Sequence, residues 1–512
     1  MGCVAFPRGA YWPKYKSLLA EGAADAEGAS TGAAPDWSDA QRAEALRGRL
    51  RAAVARRWSN EALAESARDM DTRAGRWIYG GAMRTLVGMY VDPVTYRDLV
   101  VAGIESFRAA LDDDTFRARF AEADDTAKRA RLAEALEILS LKARAANPVF
   151  SWQATGWLNV VLEKNRAMLG LPAGAVVAEF LFGATDALDP YTRVLTGEMQ
   201  RTYDRESKGI YAGIGAAVTM RGDRVFLDEV FDGGAAEKAG FRAGDEIVRV
   251  GDEPVHGLDL LEVSRRLRGE AGTEVRVTVR PGGEGEVRTV DLCRTVIHLP
   301  AVRGVRMLEG HGGVGYLRLT GFKSGTEQEL RQAVADLRGR GARRLILDLR
   351  GNPGGSLLEA IGAAGVFLES GRVVRTRGRM LGANWTYDVP LFARQEWRGP
   401  LAVLVDENSA SASEVLAAAL ARRGRAILVG RRTYGKGAAQ IHVPIFATDA
   451  AVCITVARVY DPDDRCLEGS GLEPDHPVSE SETPVQNVAD DPAVRAAVEV
   501  LRGEHVESDA PP

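Results

Sequence analysis

Beyond residue 312 the chain alternates short apolar segments with amphipathic segments of helix length. The apolar segments are VGYLRL, RLILDLR, LAVLVD and AILVG, and the segments between them include EQELRQAVADLRG, LLEAIGAAGVFL and SEVLAAALARR. Parallel strands need long crossover connections, usually helices, and strands buried on both faces are apolar almost throughout. The alternation therefore predicts an α/β core with parallel strands and crossover helices, which we place at residues 300–477.

Two other patterns precede this core. From about residue 37 to 187, segments such as AQRAEALRGRLRAAVARRW carry apolar residues at spacings of three and four, which is typical of amphipathic helices. We place a helical N-terminal domain at residues 37–208. Residues 209–299 instead hold short strands such as RVFLDEVF and EVRVTVR between Gly-rich turns, with one helix over LDLLEVSRRLR, which predicts a β-rich domain.

The two ends of the chain differ from these domains. Residues 1–36 include a stretch rich in Ala and Gly without periodicity, which predicts a flexible tail. Residues 478–512 contain one amphipathic helix, PAVRAAVEVLRG, followed by an acidic, Pro-ended tail. Because 512 residues exceed the size of a single ordinary core, we expect a multidomain α+β protein.

Composition argues against several classes of partner and cofactor. The net charge of -5 and the lack of a long basic run give no reason to expect nucleic acid, and no apolar run is long enough to span a bilayer. The cysteines at positions 3, 293, 453 and 466 are far apart without a CxxC pair, so we expect no metal site, cofactor or disulfide framework. The N-terminus, MGCVAFPRGAYWPKYK, lacks the pattern of a secretory signal, which by itself favours a cytoplasmic protein.

Two loops follow strands of the predicted parallel sheet. Strand RLILDLR leads into GNPGGS, residues 351–356, and strand LAVLVD leads into NSASASE, residues 408–414. Active groups in open α/β sheets gather at the carboxyl ends of the strands. Helix capping explains one of the three serines, whereas a hydroxyl at a helix N-terminus, beside free backbone N–H groups, suits nucleophilic attack with a stabilised oxyanion. These arguments do not choose among the three serines.

A nucleophilic serine needs a base. Of the histidines only His442 is near the second loop in sequence, and no GxSxG elbow accompanies it, which disfavours a Ser-His-Asp triad. Lys436 is the single lysine after Lys323 in a chain whose basic residues are mostly arginine, which cannot give up its proton. Lowering a lysine pKa from about 10.4 to about 7 requires about 4 to 5 kcal/mol, which full desolvation supplies. Lys436 is therefore a candidate base, with a surface lysine in a Gly turn as the alternative.

The stretches LAVLVDENSASASEVLAAAL and ILVGRRTYGKGAAQ resemble the C-terminal processing peptidase family, also called tail-specific or carboxy-terminal proteases. Members are serine peptidases with a Ser-Lys dyad and a ClpP/crotonase-like core. The family pattern, SASASE followed by TFGKGxxQ, differs here at Tyr434, where Phe is common. The resemblance implies Ser411 as nucleophile, Lys436 as general base and Gln440 as the residue that steadies the lysine in some members.

The same resemblance implies the remaining groups of the site. The N–H of Ala412, with that of Gly354 or Gly355, would form the oxyanion hole. Ser409 and Ser413 would then cap or pack the turn.

The segments GGAAEKAGFRAGDEIVRVGDEPV and LRGEAGTEVRVTV resemble the PDZ domain that these peptidases carry. A PDZ domain adds a peptide as a strand to a sheet edge and holds its C-terminal carboxylate with backbone N–H groups. The implied loop is YAGIG, residues 211–215, and the implied peptide contacts are Gly213, Ile214, Gly215, Ala216, Ala217 and Val218. The segment LDPYTRVLTGEM, residues 188–199, resembles the family sequence before the PDZ domain, and we interpret Asp189 and Pro190 as structural turn residues.

The resemblance thus implies a serine endopeptidase that recognises unstructured C-terminal tails through its PDZ domain. Its expected partners are proteins or peptides with exposed C-termini, and neither nucleic acid nor a metal; the helical domain is a candidate surface for self-association or an adaptor. The alternative is a non-catalytic tail-binding scaffold, which the joint presence of Ser411, Lys436 and Gln440 disfavours. Family members commonly act outside the cytoplasm, which implies a periplasmic or membrane-associated protein and leaves the compartment open.

Overall fold

The computed structural model describes residues 48, 50–51, 53–197, 199–201, 210–231, 233–258, 260–298, 300–479 and 488–503. The flexible tail predicted for residues 1–36 and the acidic tail after residue 503 lie outside the described residues. No helix in the described parts of the chain is both long enough and apolar enough to cross a bilayer.

Helices fill the N-terminal region, as the 3-to-4 spacing predicts. They are α1 (Glu61–Asp69), α2 (Thr72–Met89), α3 (Tyr96–Asp112), α4 (Asp114–Arg119), α5 (Thr126–Ala145), α6 (Ser151–Met168) and α7 (Ala173–Asp186). Side chains of Asp71, Thr95 and Asp125 accept backbone N–H groups at the starts of α2, α3 and α5. Helices α3 and α7 pack closely because Gly183 has no side chain: a Cβ there would lie 2.5 Å from the carbonyl oxygen of Ala102.

The β-rich domain is a sheet in the order β3-β4-β5-β7-β8, with β6 beside β5. Its strands are β3 (Ala216–Arg221), β4 (Arg224–Val230), β5 (Glu246–Val250), β6 (Glu253–Pro254), β7 (Glu274–Arg280) and β8 (Arg288–Cys293), and its helices are α8 (Ala235–Lys238) and α9 (Leu260–Leu267). Its buried residues form a hydrophobic cluster of their own, which includes Val225, Ile247 and Val277. A separate ribbon of β2 (Ile210–Gly213) and β9 (Thr295–His298) brings the two ends of the domain together.

The core contains the predicted α/β sheet, in the order β10-β11-β12-β15-β16-β19. Its elements are β10 (Val302–Met307), β11 (Val314–Leu319), α10 (Thr326–Gly339), β12 (Arg344–Asp348), α11 (Leu357–Phe367), β15 (Leu401–Val405), α12 (Ala412–Arg422), β16 (Ile427–Gly430), β19 (His476–Pro477) and α13 (Pro492–Gly503). All pairings from β11 to β19 are parallel, and only β10 pairs antiparallel. Helices α10, α11 and α12 cover one face and α13 covers the other, which explains why the central strands are largely apolar.

A second, antiparallel sheet joins the core to the helical region. It consists of β1 (Arg193–Leu195), β13 (Arg372–Arg377), β14 (Trp385–Asp388), β17 (Ala438–Pro444) and β18 (Ala451–Tyr460), with β18 paired to β1, β13 and β17. The hydrophobic cluster of the helices continues into this sheet through Val452, Ile454 and Val456. Helices and strands here therefore share one core, whereas the β-rich domain has its own.

Candidate active site

Strand β15 leads through residues 406–411 into helix α12, and Ser411 stands at the N-terminus of that helix. Its backbone has φ 58° and ψ -116°, a left-handed conformation that costs free energy for a residue other than glycine. The side chain lies where the first N–H groups of α12 carry partial positive charge. Only 5% of Ser411 is exposed. The fold thus holds this one serine in a strained position, as is common at functional sites.

The two flanking serines connect the serine loop to the loop that follows β12. Ser409 donates its hydroxyl to the carbonyl of Leu349 at 2.9 Å, and Ser413 donates to the carbonyl of Asn352 at 2.9 Å. Both hydroxyls are buried and engaged with main chain. Ser409 and Ser413 therefore pack the turn and hold the serine loop against the loop that follows β12.

The glycines of the GNPGG loop approach the serine closely. A Cβ at Gly354 would lie 2.8 Å from Cβ of Ser411 and 2.9 Å from the N atom of Ala412. Gly355 instead packs on Phe322, whose carbonyl oxygen would be 2.1 Å from an added Cβ. Their φ values of 97° and 146° also disfavour any side chain. The structure therefore brings Gly354, Ser411 and Ala412 into contact.

Lys436 lies in the loop between β16 and β17 and is 2% exposed. A buried carboxylate links this loop to the serine: one oxygen of Glu414, Oε2, accepts the N–H groups of Ser411 at 2.8 Å and Lys436 at 2.9 Å. The other oxygen, Oε1, accepts from the Thr433 hydroxyl at 2.6 Å and the Gly435 N–H at 2.7 Å. Burial raises the pKa of Glu414, and these four donors oppose that shift. Glu414 therefore joins the two loops that carry the serine and the lysine.

Our sequence reasoning did not single out Glu414. The available signal was the spacing Ser411-x-x-Glu414 at the start of a helix, which is a capping-box pattern. The box is present, since the Glu414 carboxylate accepts the Ser411 N–H.

Gln440 and His442 lie on β17 and have different surroundings. Gln440 is buried, and its side-chain amide donates to the hydroxyl of Thr455 on β18 at 3.2 Å. Nε2 of His442 instead pairs with the side chain of Gln200 at 2.9 Å. The histidine thus has a partner outside the serine and lysine loops, consistent with the disfavoured triad.

Ion pairs of Arg350 also hold the loop after β12 in place. Arg350 donates to both oxygens of Asp348, at 3.0 and 2.8 Å, and to both oxygens of Asp491, at 3.0 and 2.9 Å. Although burial alone would raise the pKa of Asp348, the Arg350 guanidinium holds it below its ordinary value. Asp491 also accepts the N–H groups of Ala493 and Val494 at the start of α13. The helix on the far face of the sheet is thereby tied to the loop beside Ser411.

In the β-rich domain, the six residues singled out for peptide binding run from the end of β2 through a turn into the start of an edge strand. Gly213 ends β2, Ile214 and Gly215 form the turn, and the other three begin β3, which is the edge strand of its sheet. Gly215 has φ 85°, and its Cβ position would lie 2.7 Å from Cα of Gly234. The Ile214 side chain is buried in the cluster of the domain, so only its backbone is available for a ligand.

Metal ligation has no evident site here, because the described residues contain no group of three or more His, Cys, Asp or Glu side chains that could hold an ion.

Comparison with known proteins agrees with this architecture. Residues 313–478 match the model of peptidase family S41, and residues 228–281 match a PDZ domain. The chain is 32% identical over 293 residues to a carboxy-terminal-processing protease of Bartonella bacilliformis, covering 56% of this chain and 66% of that protein. It is 33% identical over 289 residues to a probable CtpA-like serine protease of Staphylococcus aureus, covering 56% of each.

Among solved structures, the photosystem II D1 C-terminal processing protease is 26% identical, with 83% of this chain and 97% of that chain covered and a TM-score of 0.43. The chain spans 66% and 56% of the lengths of the two curated relatives above. The family-model and curated sequence matches confirm the resemblance that the SASASE and YGKGAAQ segments indicate. Residues 313–478 thus match peptidase family S41, and residues 228–281 match a PDZ domain, in the order that the sequence pattern indicates.

Proposed function

We propose that this protein is a serine endopeptidase that captures a substrate by its unstructured C-terminal tail and cleaves the chain upstream of that tail. The observation that carries the proposal is the shared carboxylate oxygen of Glu414, which accepts the N–H groups of Ser411 and Lys436. Two nitrogens bonded to one oxygen lie within about 6 Å of each other. A serine at a strained helix start and a buried lysine are thus neighbours, as a Ser-Lys dyad requires.

In this mechanism Oγ of Ser411 attacks the substrate carbonyl carbon while the neutral amine of Lys436 takes the hydroxyl proton. The tetrahedral intermediate collapses when the C–N bond breaks, and the lysine ammonium gives its proton to the leaving amine. A water molecule then attacks the acyl-enzyme, with Lys436 again as base and Ser411 as leaving group. Gln440, buried four residues beyond the lysine, steadies the amine.

Two backbone N–H groups are proposed to hold the oxyanion. One belongs to Ala412, the first residue of α12. The Gly354 N–H already donates to the side chain of Asn352 at 2.9 Å, and the Gly354 carbonyl accepts from Phe322 at 3.0 Å. In a trans peptide the N–H of Gly355 points opposite to that carbonyl. These contacts favour Gly355 as the second donor, with Gly354 providing the room that the serine needs.

The proposed tail site is the edge strand β3 together with the turn at Ile214 and Gly215. A peptide would pair with the backbone of Ala216 to Val218, and its carboxylate would meet the N–H groups of the turn. We expect a model protein with a free C-terminal carboxylate to bind at least about tenfold more tightly than its C-terminal amide. Equal affinity of both forms, measured by fluorescence anisotropy, would contradict tail recognition by this site.

The catalytic assignment is tested with Ser411→Ala and Lys436→Ala, assayed on a folded model protein that ends in an unstructured tail. Each variant should lower kcat/KM by at least about 1000-fold while tail binding is retained. Ser470→Ala and Lys142→Ala change exposed residues of the same types and should leave turnover unchanged. Turnover by either dyad variant would reject the mechanism, and a wild-type protein that binds tails without cleaving them would support the scaffold alternative.

A further inference from the structure

A turn from the helical region reaches the lysine. Residues 188–192 connect α7 to β1, and Oδ1 of Asp189 accepts the N–H groups of Tyr191 at 2.8 Å and Thr192 at 2.6 Å. This turn buries the Tyr191 ring, whose centroid lies 4.8 Å from Nζ of Lys436. An amine within about 6 Å of an aromatic centroid interacts with the negative face of the ring when it is protonated.

The phenol end of Tyr191 is also fixed. Its hydroxyl donates to Oε1 of Glu468 at 3.3 Å, and Oε2 of Glu468 accepts the N–H of Gly437 at 2.8 Å. Gly437 is the residue after the lysine. The ring is therefore held at its backbone by Asp189 and at its hydroxyl by a carboxyl group attached to the lysine loop.

The same turn supports Gln440. The Thr192 hydroxyl accepts the N–H of Thr455 at 3.1 Å, and the Thr455 hydroxyl accepts from the Gln440 side chain at 3.2 Å. Two consecutive residues of this turn thus support both groups. Tyr191 contacts Lys436, and Thr192 bonds to Thr455, the partner of Gln440.

Resting on the proposed function, we propose that Tyr191 is a positioning residue for Lys436. Its ring forms the wall that keeps the amine directed at Ser411, and its negative face stabilises the ammonium that forms when the lysine takes the serine proton. Because the ammonium exists only after proton transfer has begun, this interaction is stronger in the transition state than in the resting enzyme, which is the condition for accelerating the reaction.

Several ionisable groups face Lys436 or the Tyr191 ring. Glu468, Tyr434 and Asp189 interact with Tyr191, Glu468 also interacts with Lys436, and Glu414 accepts the backbone N–H of Lys436. Burial raises the pKa of Glu468, with the Gly437 N–H opposing, and burial also raises the pKa of Tyr191. A raised pKa shifts each group towards its neutral form and so weakens, rather than strengthens, its hold on a protonated lysine. The ring can then stabilise the ammonium without preventing its loss of a proton.

The experiment changes the ring and measures kcat, KM and the pH dependence of kcat/KM with the tailed substrate. Tyr191→Leu should lower kcat at least about tenfold with KM within about twofold, and the acid limb should move to lower pH by up to about one unit, because the ammonium loses its aromatic partner. Tyr191→Phe keeps the ring and should stay within about threefold of wild type with an unmoved limb. Tyr79→Leu, a change at another buried tyrosine in the helical core, should leave the limb in place.

A fluorinated series separates the ring charge from packing. Replacing Tyr191 by phenylalanine and then by pentafluorophenylalanine keeps the ring size but removes the negative face. The fluorinated protein should show the lower kcat and the shifted limb even where Tyr191→Leu fails to fold. An unchanged kcat and limb in it, with Ser411→Ala and Lys436→Ala inactive, would overturn the role of Tyr191 alone, whereas active dyad variants would overturn the proposed function.

Discussion

Two glutamates, one in the helical region and one in the core, are both fully buried, and they differ in the hydrogen-bond donors that stabilise their carboxyl groups. Glu179 of α7 accepts from the indole N–H of Trp58, from the Ser106 hydroxyl at 2.6 Å and from Arg57 at 3.1 Å. Glu414 of α12 accepts from one hydroxyl and three backbone N–H groups. Burial raises the pKa of each carboxyl, and at Glu179 it outweighs the opposing charge of Arg57.

The difference in donors separates a structural carboxylate from one that organises a site. The donors of Glu179 are side chains, so the whole cluster can be replaced by an apolar one of similar volume. Three donors of Glu414 belong to the main chain of the serine and lysine loops and remain when side chains change. Removal of Glu414 therefore leaves buried N–H groups without an acceptor beside the residues proposed for catalysis.

The largest effect is expected for Glu414→Ala. Kcat/KM should fall at least about 100-fold, and the free energy of unfolding should fall by about 3 to 5 kcal/mol, because several buried donors lose their acceptor. Cleavage assays on protein verified as folded, together with denaturant unfolding, measure both quantities. A folded Glu414→Ala protein with full activity would remove the distinction between the two glutamates.

Glu179→Ala should lower the free energy of unfolding by a similar amount, about 3 to 5 kcal/mol, since Arg57 loses a buried partner. The kcat per folded molecule should stay within about twofold of wild type. Replacing both residues, as Arg57→Leu with Glu179→Leu, should recover more than half of the lost stability. Loss of activity without loss of stability would assign this cluster to the site instead.

The stability losses caused by Glu414→Ala and Glu179→Ala should change with pH in the same direction. Both carboxyl groups have a pKa raised above the ordinary 4.5, so the folded state binds their protons more tightly than the unfolded state. The stability they contribute is fully present below that value and is lost as the pH rises through the raised pKa. Urea unfolding between pH 4.5 and 7.5 should therefore show each Glu→Ala loss shrinking with rising pH, by about 1.4 kcal/mol per unit of pKa shift. A loss that grows with pH would contradict the raised values.

The smallest effects are expected for the matched hydroxyl removals Thr433→Val and Ser106→Ala. Each deletes one hydroxyl bonded to a buried glutamate, at 2.6 Å in both cases, and should cost about 1 to 3 kcal/mol of unfolding free energy. Thr433→Val should also lower kcat several-fold, because its hydroxyl holds the carboxylate that joins the two loops. Ser106→Ala should leave kcat unchanged. Equal losses of kcat in Thr433→Val and Ser106→Ala would contradict the proposed difference between Glu414 and Glu179.

Local patterns predicted much of the fold. The alternation after residue 312 predicted the parallel sheet and its crossover helices, and the sheet confirms it from β11 to β16, whereas the short parallel strand β19 was not predicted. The antiparallel sheet around β18 was not predicted, because that strand pairs with β1, more than 250 residues earlier in the chain, and no periodicity reports a pairing at that distance. The antiparallel edge strand β10 was missed for a similar reason, since direction depends on the connection and not on the residues of the strand.

Sequence patterns likewise predicted only part of the candidate site. Strand ends and glycines pointed to two loops that the structure brings into contact, but the choice of Ser411 among three serines came from family resemblance. The structure adds the physical contrast: Ser409 and Ser413 are bonded to the neighbouring loop, whereas Ser411 has the strained backbone. The contact between Tyr191 and Lys436 joins residues 245 positions apart, so the sequence pattern could present Asp189 and Pro190 only as a turn.

The bond from Asp491 to Arg350 has a consequence for the timing of protein synthesis. A ribosome that has passed residue 440 has made every residue assigned to chemistry, yet the carboxylate that secures the loop beside Ser411 emerges only about fifty residues later. A partly made chain therefore lacks this ion pair, and the loop beside Ser411 gains it only after translation has passed residue 491.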